Sequence, residues 1–294
     1  MKVGVHVPQW GSDAGRDGVL SVARAAEEAG LDSVWVADHV VYPLGSQTKY
    51  PYGSGETPFA PEEGFLDAFV TLAAIAGATE RITLGTSVLV MPMREPLQMA
   101  KAIATLDVLS GGRVALGVGA GWWLEEFTAL GAPFEARGRR MDEQLAILRA
   151  LWRDGRLSHS GEFYDFGELV CEPRPVHAGG PPVLIGGMGP TGRRRAGRSG
   201  DGWHALGSHD ETLIAGFADV KRVAREAGRD EGELMLSTSA GLPPDPERAV
   251  ARLVRLKRAG VDQVVLNVPD NTAAGIREGI ERLAESILPQ VREA

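Results

Sequence analysis

A chain of 294 residues with 44% hydrophobic side chains is long enough for one large core, and α/β barrels of this length form single domains, so one domain over 1–294 is expected. The 39 acidic against 31 basic side chains leave a formal charge of −8, which repels phosphate backbones and anionic lipid and argues against nucleic-acid and membrane partners. Cys171 is the only cysteine, no apolar run reaches the roughly 18 residues that span a bilayer, and Met1-Lys2 lead straight into a strand pattern, so a reducing cytoplasm is the expected compartment.

Short β-branched runs alternate with longer amphipathic ones along the chain. Residues 2–7 read as a strand and 18–29 as a helix closed by Gly30. The unit recurs as strand 33–37 with helix 66–78, strand 82–90 with helix 97–109, and strand 114–118 with helix 141–151. Beyond a polar stretch come strand 183–185 with helix 192–199 and strand 202–205 with helix 211–227. Strand 234–239 with helix 246–259 and strand 263–268 with helix 274–288 complete eight units. Strict alternation implies a parallel sheet, and eight repeats favour closure into a (β/α)₈ TIM barrel over a doubly wound open sheet.

Two long interruptions, 41–64 and 157–180, are of the length usually given to lids or insertions. The first follows strand two and so belongs on the face where barrel strands end. The second lies between helix four and strand five, is free to decorate the bottom, and contains Gly161-Glu162-Phe163-Tyr164, which resembles a turn entering a strand.

Asp38-His39 directly follow strand 33–37, where active-site groups of this architecture collect. A histidine exchanges protons near neutral pH, and a carboxylate or backbone partner fixes its tautomer. His39 is therefore the candidate acid/base with Asp38 beside it; the alternative is that Asp38 caps a turn and His39 packs beneath the loop.

Strand 114–118 runs into Gly117-Val118-Gly119-Ala120-Gly121-Trp122, where Gly119 and Gly121 let backbone approach a planar ring or a phosphate, or simply serve a tight turn. Trp122 stands where a dinucleotide fingerprint needs its last glycine, so a nicotinamide reading fails. A second strand ends in Gly186-Gly187-Met188, followed by Thr191 and Arg193-Arg194-Arg195; the helix starting there suits an anion, while the arginines equally suit a solvated face. Asp107 and Arg113 fall at the bottom of the barrel and read as structural. His6, His39, His204 and His209 form no closely spaced ligand set, so no metal is expected, although a metal-dependent hydrolase using His6 and His204 is a rival reading. Nothing supports a covalent hydrolase, since no G-x-S-x-G elbow is present and Cys171 lies inside the second interruption.

Gly30-Leu31-Asp32-Ser33 leading to Trp35–His39, then Gly85–Val88, Arg94-Glu95-Pro96, Leu106–Arg113, Gly117–Trp122, Gly186-Gly187 and Asp201-Gly202-Trp203 resemble, in order, the luciferase-like superfamily in its branch that uses the deazaflavin coenzyme F420. The resemblance spans nearly the whole chain. It implies that His39 lies beside the reactive carbon of the deazaflavin with Asp38 as its neighbouring acid. It implies further that Ser87-Val88 carry a non-prolyl cis peptide behind the central ring, and that Gly119, Gly121, Gly186, Gly187 and Met188 surround the cofactor, its phosphate-bearing tail reaching toward Thr191.

The activity so implied is hydride transfer between F420 and a small organic substrate, with a homodimer as the working form. A luciferase-like monooxygenase using FMN on the same barrel and a non-catalytic F420 carrier are the alternatives. Sugar-phosphate dehydrogenases of this branch place a glutamate directly after the Gly-rich loop, where this chain has Trp122. With Trp123 and Tyr42 nearby in the same reading, an apolar or aromatic pocket is expected.

Overall fold

The computed structural model describes residues 1–207 and 210–294; His209, weighed above as a ligand, lies outside the described residues. The amino-terminal half supplies β1 (Lys2–His6), α1 (Arg16–Glu28), β2 (Ser33–Val36), α2 (Ala68–Ala76), β3 (Thr83–Val90), α3 (Pro96–Leu109), β4 (Val114–Gly119), a short α4 (Leu124–Ala129) and α5 (Arg137–Asp154). After it come β5 (Arg156–Ser160), β6 (Asp165–Val170), β7 (Val183–Gly186), α6 (Pro190–Ser199), β8 (Gly202–Leu206) and α7 (Asp210–Glu226). The chain finishes with β9 (Met235–Gly241), α8 (Pro246–Arg258), β10 (Gln263–Asn267), α9 (Ala273–Arg282) and α10 (Leu288–Glu293).

Eight parallel strands close in the order β1-β10-β9-β8-β7-β4-β3-β2, which is the expected barrel and excludes the open sheet. β2, β4 and β7 are buried along their whole length, and burial on both faces is why they read as unbroken apolar runs. Helices seal the outside with one apolar stripe each, as α8 does with Ala249, Leu253 and Leu256. Their starts are specified locally: Asp67 accepts from the Val70 amide at α2, and Asp245, followed by Pro246, accepts from the Arg248 amide at α8. Among the described residues, no helix is long and apolar enough to cross a membrane.

Trp35 turns into the barrel, donates to Ser33 Oγ at 2.8 Å and stacks on His204 with ring centroids 5.6 Å apart. Its register partner on β3 is Gly85, where a Cβ would lie 2.3 Å from the indole, so the large ring on one strand requires the bare backbone on the next. At the other end of the strands Arg113 donates to the carbonyls of Ala76, Thr79, Ile82 and Ser110 and to the Thr79 hydroxyl, tying α2 to β4. The fully buried Asp107 accepts from the Val176 amide at 2.8 Å.

Three local expectations are corrected. The second interruption contains an antiparallel hairpin, β5 with β6, whose tip climbs the flank of α5 instead of decorating the bottom: Glu143 accepts from the Phe163 and Tyr164 amides, and Gln144 donates to Tyr164 Oη. The short α4 was not anticipated. The last helix, expected as continuous over 274–288, ends at Arg282 and passes through a π-helical turn, Leu283–Ile287, before α10. Pro289 explains the break, because it has no amide to donate and its ring crowds the carbonyl one turn earlier.

His6 and His204 lie inside the barrel, 7% and 0% exposed. Burial holds His6 down at about 4, and burial together with the nearby His6 holds His204 at about 3, so both are neutral in the fold. An unfolded imidazole takes its proton near 6.5, so the unfolded chain binds more protons below that value and stability falls as the pH drops toward the folded values. Urea denaturation is expected to show a loss of about 2 kcal/mol per imidazole between about pH 7 and about pH 5, where ordinary carboxylates stay ionised. A midpoint that stays level over that range would mean that these histidines are not held neutral.

Candidate active site

All eight barrel strands end on one cavity of about 760 Å³, a size typical of small-molecule and cofactor sites. His39, Asp38, Ser87, Val88, Gly119, Gly121, Gly186 and Gly187 all line it. Met188 does not: its sulfur accepts from the Leu206 amide at 3.3 Å, and its side chain packs against the core.

His39 is held by the segment that follows β4, two strands along the barrel. Its Nδ1 lies 2.9 Å from Oε2 of Glu126, a carboxylate 1% exposed on α4, while Oε1 of the same group accepts from the Val40 amide at 2.7 Å and the Val41 amide at 3.3 Å. An ionised carboxylate only accepts, so the hydrogen sits on Nδ1 and Nε2 of the neutral ring is left with its lone pair. Sequence reasoning missed Glu126. Its signal was present, two adjacent acidic residues a few positions after Gly121, but nothing in the sequence says which histidine they meet.

Asp38 spends its carboxylate elsewhere. Arg94 Nη1 and Nη2 donate to Oδ2 and Oδ1 at 2.6 Å each, and the Val90 amide donates to Oδ2 at 2.8 Å. Burial pushes the Asp38 carboxyl up, and the Arg94 guanidinium and Val90 amide pull against it. This bidentate pair fastens the end of β2 to the end of β3, so the acid that orients His39 is Glu126 and not its sequence neighbour.

Beside the histidine the wall is backbone. The Ser87–Val88 peptide is cis, and the β3–β4 register shifts there between Thr86 and Leu89. A Cβ on Gly119 would lie 2.8 Å from Val88 Cγ2, and one on Gly186 would lie 3.1 Å from the Val118 carbonyl oxygen and 3.2 Å from Val88 Cγ1. The bare backbone at both positions is what lets the Val88 side chain pack against Gly119 and Gly186 on the cavity wall. Beneath it His204 lies within 2.8 Å of both Ser87 Oγ and Ser237 Oγ, and His6 Nδ1 has no partner among the described residues. No group of three or more His, Cys, Asp or Glu side chains among the described residues could hold a metal.

The first interruption roofs the cavity and is itself fastened by α4. Oε1 of Glu125 accepts from the Gln47 amide at 2.8 Å and the Thr48 amide at 3.2 Å, and hydrogen bonds from Thr48 and then Gln47 hold its carboxyl down at about 2. Trp123 Nε1 donates to Ser46 Oγ at 2.7 Å. At the far side, α5 and α6 bring Arg137, Thr191 and Arg195 to the rim; Arg193, left open in the sequence between an anion site and a solvated face, pairs with Asp219 of α7.

A model of the family described as luciferase-like monooxygenase matches residues 1–289. An uncharacterized protein of Mycobacterium tuberculosis is 33% identical over 282 residues, which is 92% of this chain and 95% of its own length. An F420-dependent glucose-6-phosphate dehydrogenase of Kineococcus radiotolerans is 33% identical over 238 residues, 78% of this chain and 64% of its own. Among solved structures, an F420-dependent secondary alcohol dehydrogenase in complex with an F420-acetone adduct superposes with a TM-score of 0.81 at 22% identity, over 99% of each chain, a likeness of fold. With a family match over almost its full length and a relative that aligns over more than nine-tenths of both chains, the chain belongs to the luciferase-like monooxygenase family.

Proposed function

We propose that this protein is an oxidoreductase that holds coenzyme F420 against the Gly119 and Gly186 wall and transfers a hydride between it and a small organic substrate. The observation that carries the reading is the His39–Glu126 pair standing at a glycine-walled cavity. The name of the Kineococcus radiotolerans relative and the fold shared with an F420-dependent alcohol dehydrogenase support the choice of cofactor. Bound there, the deazaflavin supplies the carbon that gives or takes the hydride.

The chain's own part is orientation and proton handling. Glu126 keeps the hydrogen of neutral His39 on Nδ1, so Nε2 takes the proton of a substrate hydroxyl when hydride leaves the adjacent carbon. In the reverse direction the imidazolium, stabilised by the same carboxylate, returns the proton to a carbonyl oxygen. Asp38, Arg94 and the Val90 amide keep the backbone that carries His39 in register with β3.

Titration of the purified protein with oxidised F420 and, separately, with FMN, followed by cofactor fluorescence, is expected to give micromolar F420 binding and much weaker FMN binding; the reverse order would move the protein to flavin-dependent chemistry. His39→Ala is expected to slow turnover roughly 10²- to 10⁴-fold while F420 affinity holds, and unchanged turnover removes His39 from the mechanism. Glu126→Gln is expected to slow turnover by about 10²-fold with F420 affinity again unchanged, because an amide no longer fixes which ring nitrogen carries the hydrogen. Equal losses in turnover and cofactor affinity would make Glu126 a purely structural residue.

A further inference from the structure

The cavity has two chemically different ends. Around the barrel β7 stands four strands from β1, so the segments that follow these strands face each other across the mouth. The β7 end holds Thr191, Gly192, Arg137 and Arg195. The end near β1 and β2 is built of rings.

Those rings converge on His39. Its imidazole centroid lies 5.1 Å from Phe59, 5.5 Å from Phe65 and 5.9 Å from Trp122, with Phe65 and Trp122 edge-on. Trp10 stacks on Phe65 at 5.7 Å, and Tyr50 meets Trp122 at 5.3 Å. The chamber therefore offers a large apolar contact area, with the His39 ring as the polar group at the position assigned to proton transfer.

No lysine is among the described lining residues, and the two lining arginines are already engaged by protein groups. Arg195 pairs with Asp142 and donates to the Gly138 carbonyl, and Arg137 lies 3.8 Å over the Phe134 ring while donating to the Gly121 and Phe134 carbonyls. A phosphate seated among the rings would be stripped of water and would have to draw an arginine away from its present partners, and a polyhydroxylated sugar would set its many hydroxyls against a mostly apolar wall.

We infer that the substrate is an uncharged compound with an apolar ring body and a single oxygen function, a ring-bearing secondary alcohol or the corresponding ketone, seated between Trp122 and Phe59 with its oxygen on His39. The inference rests on the hydride-transfer reading and sets this chain apart from the sugar-phosphate chemistry named for one of its relatives. In the oxidising direction the alcohol carbon loses its hydrogen as hydride to oxidised F420, the hydroxyl proton passes to His39 Nε2, and the C–O single bond becomes the ketone C=O.

Calorimetry with acetophenone and with glucose 6-phosphate as probes, on the protein alone and saturated with F420, tests this without turnover. Acetophenone is expected to bind, and glucose 6-phosphate at matched concentration to give no heat of binding. Trp122→Ala and Phe59→Ala are each expected to weaken acetophenone binding about tenfold, the loss typical of an aromatic anchor, with F420 affinity changed less than about threefold. Tighter binding of glucose 6-phosphate than of acetophenone overturns the inference, as does acetophenone affinity unchanged in both folded variants; should either variant fail to fold, the two-probe comparison on the natural sequence decides. Acetophenone binding that depends on Trp122 in a protein that does not take up F420 would keep the chamber's assignment and remove the cofactor. F420 uptake with a preference for glucose 6-phosphate would do the opposite.

Discussion

A carboxylate removed from water must be met by donors, and Glu126 meets three: His39 Nδ1 and the amides of Val40 and Val41. Through these contacts the short helix after β4 is joined to the segment leaving β2, bringing together residues 87 positions apart in the chain. The position of the imidazole, its tautomer and the course of the roof above it all follow from where this one group sits. Without it, the imidazole would keep its aromatic neighbours but lose the acceptor that fixes its tautomer.

The barrel beneath supplies the rigidity that such an arrangement needs. Trp35, Gly85 and His204 interlock across the interior, and the serines on either side of His204 carry that packing up to the floor of the cavity at Ser87. The Asp38–Arg94 pair performs the corresponding task at the rim. Floor, rim and roof are thus each held by a different kind of contact: apolar packing, a charged pair, and amides gathered by acidic side chains.

The barrel was legible because its strands are buried on both faces and its helices on one, so apolar period and run length report them directly. The β5–β6 hairpin was less so, since its strands alternate between exposed and half-buried positions and pack on a single helix. Six residues of α4 carry too little periodicity to declare themselves, and the π turn before Pro289 is a local response to a missing donor that an apolar repeat passes over. Asp38 and His39 were legible as a location, one and two residues past the expected strand 33–37. Their partners were not, because the folded barrel and not the sequence interval decides that His39 meets Glu126 while Asp38 meets Arg94.

The roof is gripped at its backbone. At residues 40, 41, 47 and 48 it is the peptide N–H that the acidic pair of α4 engages, and every amino acid except proline carries one. Apart from Ser46 and Thr48, whose hydroxyls add to the grip, side chains on this segment are therefore open to replacement without loosening its attachment, and the chamber's lining can change while the proton-handling histidine stays where it is.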